Sequence, residues 1–222
     1  GKRRQQATKT LKRISEVLLV ATLINSIWFP VLREQKSLLR LDILHCIGLS
    51  LLMAMPMLLC FSSRPRLLRW VLLLVALGIF GVAPFGEQAT GLLQLILNNK
   101  PGVLDETTGA TFPLLPWSGY VFLGASFGAT VGAMQSEREL WAWLGLLLGI
   151  GAVLWWKEQE IAAWYPHHSF WVTDPANAAR RWTLVLGVVA LFRLLERAWP
   201  ASVRSRLAKW LGAFWASSLS VY

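Results

Sequence analysis

The chain has 222 residues, of which 55% are hydrophobic and only 15% charged, with a formal net charge of +10. A soluble domain carries about 25% charged residues, so an ordinary water-soluble fold is excluded. The basic excess lies in short links between apolar runs, where membrane topology signals sit, and this argues against nucleic acid as a partner. Period-two alternation, the mark of a membrane β-barrel, is absent. What remains is an all-α, polytopic transmembrane bundle whose first partner is the lipid bilayer.

The chain opens on "GKRRQQATKTLKR", a basic helix approach. The first expected span is about Ile14 to Leu32, with Glu16 near its start and Asn25 near its middle. Glu16 is expected to pair with Lys12 or Arg13, and Asn25 to hydrogen-bond a neighbouring helix. The second span, about Ile43 to Phe61, opens with "LDILHCIGL". The turn "SSRPR" leads to a third span, about Leu67 to Phe85.

A long connection runs from Gly86 to Thr111, with "TGLLQLILNN" as a short interfacial helix and an acidic pair at Asp105 and Glu106. Loops of this length are often functional. The fourth span is about Phe112 to Met134, where Gly124, Gly128 and Gly132 share one face. Such a face admits a closely packed helix. After "QSERE" comes a fifth span, about Leu140 to Trp156. The second long connection, Lys157 to Arg181, contains "WYPHHSFW" and precedes a sixth span, about Trp182 to Leu195. The terminal "WLGAFWASSLSVY" begins a seventh. Cys46 and Cys60 lie inside apolar runs and read as free thiols.

Charge counts set the orientation. Lys2 to Arg13 carries six positives and no acid, and Arg64 to Arg69 carries three positives. Glu196 to Lys209 carries four positives and one acid. Six alternating spans put all three segments on one side, the cytoplasmic one. The loops 86–111 and 157–181 then face outward. Many of the 13 tryptophans lie at span ends, as an interfacial belt does. Trp117, Trp164 and Trp171 also offer flat faces suited to sugar rings.

Three stretches carry a family resemblance. "LDILHCIGLSLL", "FPLLPWSGYVFLGASFG" and "LGAFWASSLSVY" are similar, in order and spacing, to segments of the prokaryotic relatives of heparan-α-glucosaminide N-acetyltransferase. The resemblance covers nearly the whole chain. It implies a membrane acyltransferase that uses cytoplasmic acetyl-CoA as donor and modifies a glycan or envelope acceptor on the outer side, in a bacterial inner membrane. Family members usually begin with an arginine–aspartate–arginine–glycine helix followed by an external histidine. No position here matches that pattern, and the chain stops at Tyr222 before a further expected histidine. The chain therefore reads as a partial acyltransferase-like domain, residues 1–222, and the upstream catalytic histidine has no counterpart to carry over. A non-catalytic scaffold subunit, with a homo-oligomer or membrane-complex partner, stays open as the other class.

Acetyl transfer needs a base near neutral pKa, which is histidine's property. His45 is the leading catalytic candidate, since an ionisable group inside a span points to function. Asp42 lies three residues earlier on the same helical face and serves as its orienting carboxylate. The structural alternative makes Asp42 a helix cap and His45 a link to a neighbouring helix. His167 and His168, with Trp117 and Asn25, are candidates for substrate binding. Adjacent histidines lack a metal-ligand spacing, so no metal is expected.

Overall fold

The computed structural model describes residues 2–28, 41–90, 93–97, 112–133, 136–169 and 171–198. Eight helices follow in order: α1 Lys2–Trp28, α2 Ile43–Phe61, α3 Pro65–Gly86, α4 Gln94–Leu97, α5 Leu114–Ala133, α6 Glu137–Trp156, α7 Glu158–Ala162 and α8 Pro175–Ala198. Among the described residues there is no strand, and four helices are long and apolar enough to cross a membrane: α2, α3, α5 and α6. The chain is an integral membrane protein of the all-α class. The acidic pair Asp105 and Glu106, the link 33–40 and the terminal apolar run lie outside the described residues.

Three antiparallel pairs build the bundle. In the central one, α3 lies along α5. Phe80 meets Tyr120 with ring centroids 5.0 Å apart, and the Ser126 hydroxyl donates to the Arg69 carbonyl at 2.7 Å. The second pair is α6 with α8, and the third is α1 with α2. Leu72, Leu73, Phe80, Phe122, Leu144 and Leu147 form the buried centre between α3, α5, α6 and α8. Leu74, Val82, Val153 and Leu184 point outward and are exposed, as lipid-facing residues must be when hydrocarbon surrounds the bundle.

Glycine decides where helices approach most closely, though not at the expected stripe. A Cβ on Gly124, Gly128 or Gly132 would meet nothing within 4 Å, so this face of α5 packs no helix of the described chain. The tight contacts lie elsewhere. A Cβ on Gly119 would come within 2.8 Å of the Phe80 ring, and one on Gly48 within 2.7 Å of Leu18. At Gly151 it would overlap Thr183 Oγ1 and come within 2.6 Å of Trp182 Nε1. Gly151→Ala is therefore expected to cost about 1–3 kcal/mol of stability through overpacking. Thermal unfolding in detergent checks this. Adding Thr183→Ala should recover part of the loss, and simple additivity of the two changes would refute the clash.

Two departures from the expected spans have local causes. Helix α1 runs without a break through the basic approach, and Lys12 faces Glu16 at 4.0 Å. Helix α8 starts at Pro175, seven residues before the expected span. Asp174 caps it, its Oδ1 accepting the Asn177 N–H at 2.8 Å, and proline suits the first helical position.

The pairing direction gathers the chain's features at two ends. Lys9, Lys12, Arg13, Arg64, Arg66, Arg69 and Arg138 lie towards one, the basic end. The starts of α2, α5 and α8 and the finish of α3 and α6 lie at the other, the loop end. There the Phe112 N–H donates to the Leu41 carbonyl at 3.2 Å.

Candidate functional site

All six candidate site residues belong to the loop end, in two patches flanking Phe112. The first patch joins α1 and α2. Thr22 uses its hydroxyl proton on the Leu18 carbonyl at 2.9 Å. At the 3.4 Å contact between Thr22 Oγ1 and His45 Nε2, the threonine oxygen therefore accepts and the ring nitrogen donates. A ring that donates through Nε2 carries its lone pair on Nδ1, the form a general base requires. His45 Nδ1 is buried and has no hydrogen-bond partner among the described residues.

Asp42 occupies the cap position of α2 with extended backbone (φ −99°, ψ 174°), and its carbonyl accepts the Cys46 N–H at 2.9 Å. Its side chain makes no capping hydrogen bond. Asn25, one turn beyond Thr22 on α1, is only 1% exposed and is engaged in a polar or electrostatic contact.

The second patch joins the finish of α3, the turn after α7 and the starts of α5 and α8. Trp117 stands in the first turns of α5. Leu115 just before it is extended (φ −102°, ψ 123°), as a residue preceding proline prefers. The Trp117 ring lies 5.3 Å from Phe112, 5.7 Å from Tyr120 and 5.9 Å from the Arg181 guanidinium. Arg181 in turn donates through Nη2 to the Trp171 carbonyl at 2.7 Å.

The two adjacent histidines part company. His167 is exposed. The His168 side chain is 7% exposed, and its Nε2 lies 2.9 Å from an Asp174 carboxylate that is 1% exposed. Its Nδ1 lies 2.7 Å from the Pro166 carbonyl. A carbonyl and a carboxylate only accept, so both ring nitrogens donate and the ring is an imidazolium. Burial on its own disfavours that charge. The hydrogen bonds to Asp174 and Pro166, with the negative charges of Asp174 and Glu87, outweigh it, and the pKa of His168 is raised. Burial and the Asp174 charge push the Tyr165 phenol up as well, which keeps its hydroxyl neutral.

Glu87, just past α3, accepts the Ser169 N–H on both oxygens at 3.0 and 2.9 Å and also bonds the Thr173 hydroxyl. Glu87, His168 and Asp174 thus tie α3 to the start of α8. Sequence reasoning missed Glu87, Asp174 and Arg181. The Asp174-Pro175 pair is a helix-start signature and was available to find. Nothing local marks Glu87, which is 82 residues from Ser169.

This second patch is an engaged polar network that holds a surface around Trp117 and Arg181. The first holds a buried ring nitrogen with no hydrogen-bond partner among the described residues. Among the described residues no group of three or more metal-ligating side chains converges. No curated protein and no solved structure matches the chain. Residues 1–170, well over half of the sequence, match the family described as "Heparan-alpha-glucosaminide N-acetyltransferase, catalytic". With its bundle of apolar helices and a histidine set into one of them, the chain belongs to the heparan-alpha-glucosaminide N-acetyltransferase catalytic family.

Proposed function

We propose that this protein is an integral membrane O- or N-acetyltransferase that moves an acetyl group from cytoplasmic acetyl-CoA to a glycan or envelope acceptor on the outer side. The match over residues 1–170 carries this reading. In the reaction the acceptor oxygen or nitrogen attacks the thioester carbonyl, its bond to the acetyl carbon forms and the carbon–sulfur bond breaks. CoA leaves as its thiolate, and the acceptor's proton passes to a base that then returns it to the sulfur. His45 takes that proton on Nδ1, and the negative charge of Asp42, one turn earlier, favours the imidazolium that forms. Trp117, His167, His168 and Asn25 contribute to the acceptor site, with His168 acting through the turn that it holds.

The donor's phosphates suit the basic end, where Arg64 and Arg66 are exposed and Arg69 is half-buried. That end is cytoplasmic by the positive-inside rule. In this reading α1 and α8 complete six spans, the loops 86–111 and 157–181 face outward, and the membrane is a bacterial inner membrane. The domain then works with the lipid bilayer and an outer glycan.

The test is an acetyl-CoA assay on the purified full-length protein. Acceptor-dependent release of CoA thiol with labelled acetyl on the glycan is the expected result. Absence of transfer across glucosamine-terminated and hydroxyl acceptors would reject the enzyme. One observation favours a second reading, a scaffold in a larger complex: the glycine face of α5 meets no other helix among the described residues. Such a scaffold would bind a membrane partner through that face and leave acetyl-CoA untouched.

A further inference from the structure

A cleft of about 500 Å³ opens between α3, α6 and α8 beneath α7, within the size range of sites that bind small organic ligands. Its interior is hydrocarbon and aromatic, formed by Leu77, Phe80, Gly81, Leu154, Ala179 and Trp182. Polar groups occur only at one end. There Lys157 and Glu160 form an ion pair at 2.6 Å, and Tyr165 contributes its phenol.

The position of this cleft restricts what fills it. Lys157 directly follows Trp156, the last residue of a helix fit to cross the membrane. The polar end therefore lies at the end of the span and the apolar interior beside the span itself. Trp156 and Trp164 flank the polar end and are 83% and 76% exposed. Open indole faces next to a carboxylate, an ammonium and a phenol offer stacking and hydrogen bonds to a hydroxyl-rich ring. The balance of Lys157 against Glu158 and Glu160 gives a headgroup-level surface without net positive charge, which does not favour a phosphate. A tail-shaped apolar interior capped by a sugar-compatible mouth is complementary to a glycolipid.

We infer that the acceptor is lipid-linked, with its hydrocarbon tail in the α3–α6–α8 cleft and its headgroup emerging at Lys157, Glu160 and Trp164, beside the Tyr165–His168 turn of the proposed acceptor site. This rests on the proposed acetyl transfer and names its acceptor class. It also explains an open glycine in the middle of α3: a Cβ on Gly81 would meet only the Tyr165 hydroxyl, at 3.8 Å. The space beside it is cleft rather than packed helix.

The experiment uses the full-length protein in detergent and two acceptors: a glucosamine glycolipid with a diazirine in its acyl chain, and water-soluble methyl glucosaminide. Photolysis of the wild type with the glycolipid is expected to label peptides of α3, α6 or α8 that line the cleft. Gly81→Leu fills the cleft without a backbone clash. It is expected to lower the ratio of transfer to glycolipid over transfer to methyl glucosaminide by about tenfold, the scale of a lost apolar pocket contact.

Labelling elsewhere, or an unchanged ratio in Gly81→Leu, would overturn the inference. So would equal labelling by a diazirine phospholipid that excess glycolipid does not displace, since the cleft would then hold bulk lipid. Labelling blocked by a helix already seated there would overturn it too. If the wild type acetylates neither acceptor, the enzyme reading fails, and displaceable glycolipid labelling in the cleft still decides the binding site. If Gly81→Leu does not fold, that same wild-type labelling decides the inference alone.

Discussion

Asp174→Ala is expected to lower the unfolding free energy by about 3–5 kcal/mol, the cost of removing one partner of a buried ion pair. The carboxylate does two things at once. It holds the His168 imidazolium at 2.9 Å, and it caps α8 through the Asn177 N–H. Its removal leaves a buried cation bonded only to the Pro166 carbonyl. Stability should also depend on pH, and the sign follows from the raised pKa of His168. The folded state binds this proton more tightly than the unfolded chain. The stabilisation is therefore complete below the ordinary imidazole value near about 6.5, and it is lost as pH rises through the higher folded pKa. Thermal unfolding in detergent from about pH 5.5 to 8.5, which brackets that value, should show wild-type stability falling with pH. The Asp174→Ala curve should be flatter, because its histidine sheds the proton at lower pH. Parallel curves for the two proteins would show that the pair does not carry the pH dependence.

His45→Ala is expected to reduce acetyl transfer by about 10²–10⁴-fold, the range supplied by a positioned base. The melting temperature should change little, because the side chain's hydrogen-bond contact among the described residues is the long one to Thr22 at 3.4 Å. Thr22→Val provides a finer probe. It keeps the ring and removes the oxygen that assigns the proton to Nε2. A smaller loss of rate is expected, since part of the population then carries its proton on Nδ1 and cannot act as base. A His45→Ala protein with full activity and lowered stability would make His45 a link between α1 and α2 and nothing more.

Much of the helical layout is legible in the sequence, and particular residues show why. Helix α2 spans Ile43–Phe61, the limits of an apolar run that only His45 and Ser50 interrupt. Helix α6 finishes at Trp156, where hydrophobicity gives way to Lys157. Span edges defined by apolar content fail when a polar first turn is helical. This is the case at Pro175–Arg181, where the cap and the first-position proline start α8 and apolarity does not.

The candidate site is less legible. "WYPHHSFW" presents two neighbouring histidines, and nothing in it separates the exposed His167 from the buried His168. That difference depends on Asp174, six residues on, and on Glu87, which lies 82 residues before Ser169. The glycine stripe at 124, 128 and 132 shows the same limit. Periodicity assigns a face to one helix but cannot say what stands opposite. The tight contacts are at 48, 119 and 151, where Leu18, the Phe80 ring and Thr183 press in from other helices.

By itself, then, the sequence determined the membrane class, the run of apolar helices, the basic end and the presence of a histidine three residues after an acid in α2. These follow from composition, 1.5 Å of rise per residue and charge counting, all local along the chain. The tertiary structure alone decided that His45 meets the Thr22 oxygen through Nε2 while its Nδ1 has no partner among the described residues, that His168 lies between the Asp174 carboxylate and the Pro166 carbonyl, and that α3, α6 and α8 enclose an apolar cleft with a polar mouth. Each of these depends on which helix lies against which. That is fixed by side chains far apart in sequence that share one small volume, where every polar atom must find a partner or go without.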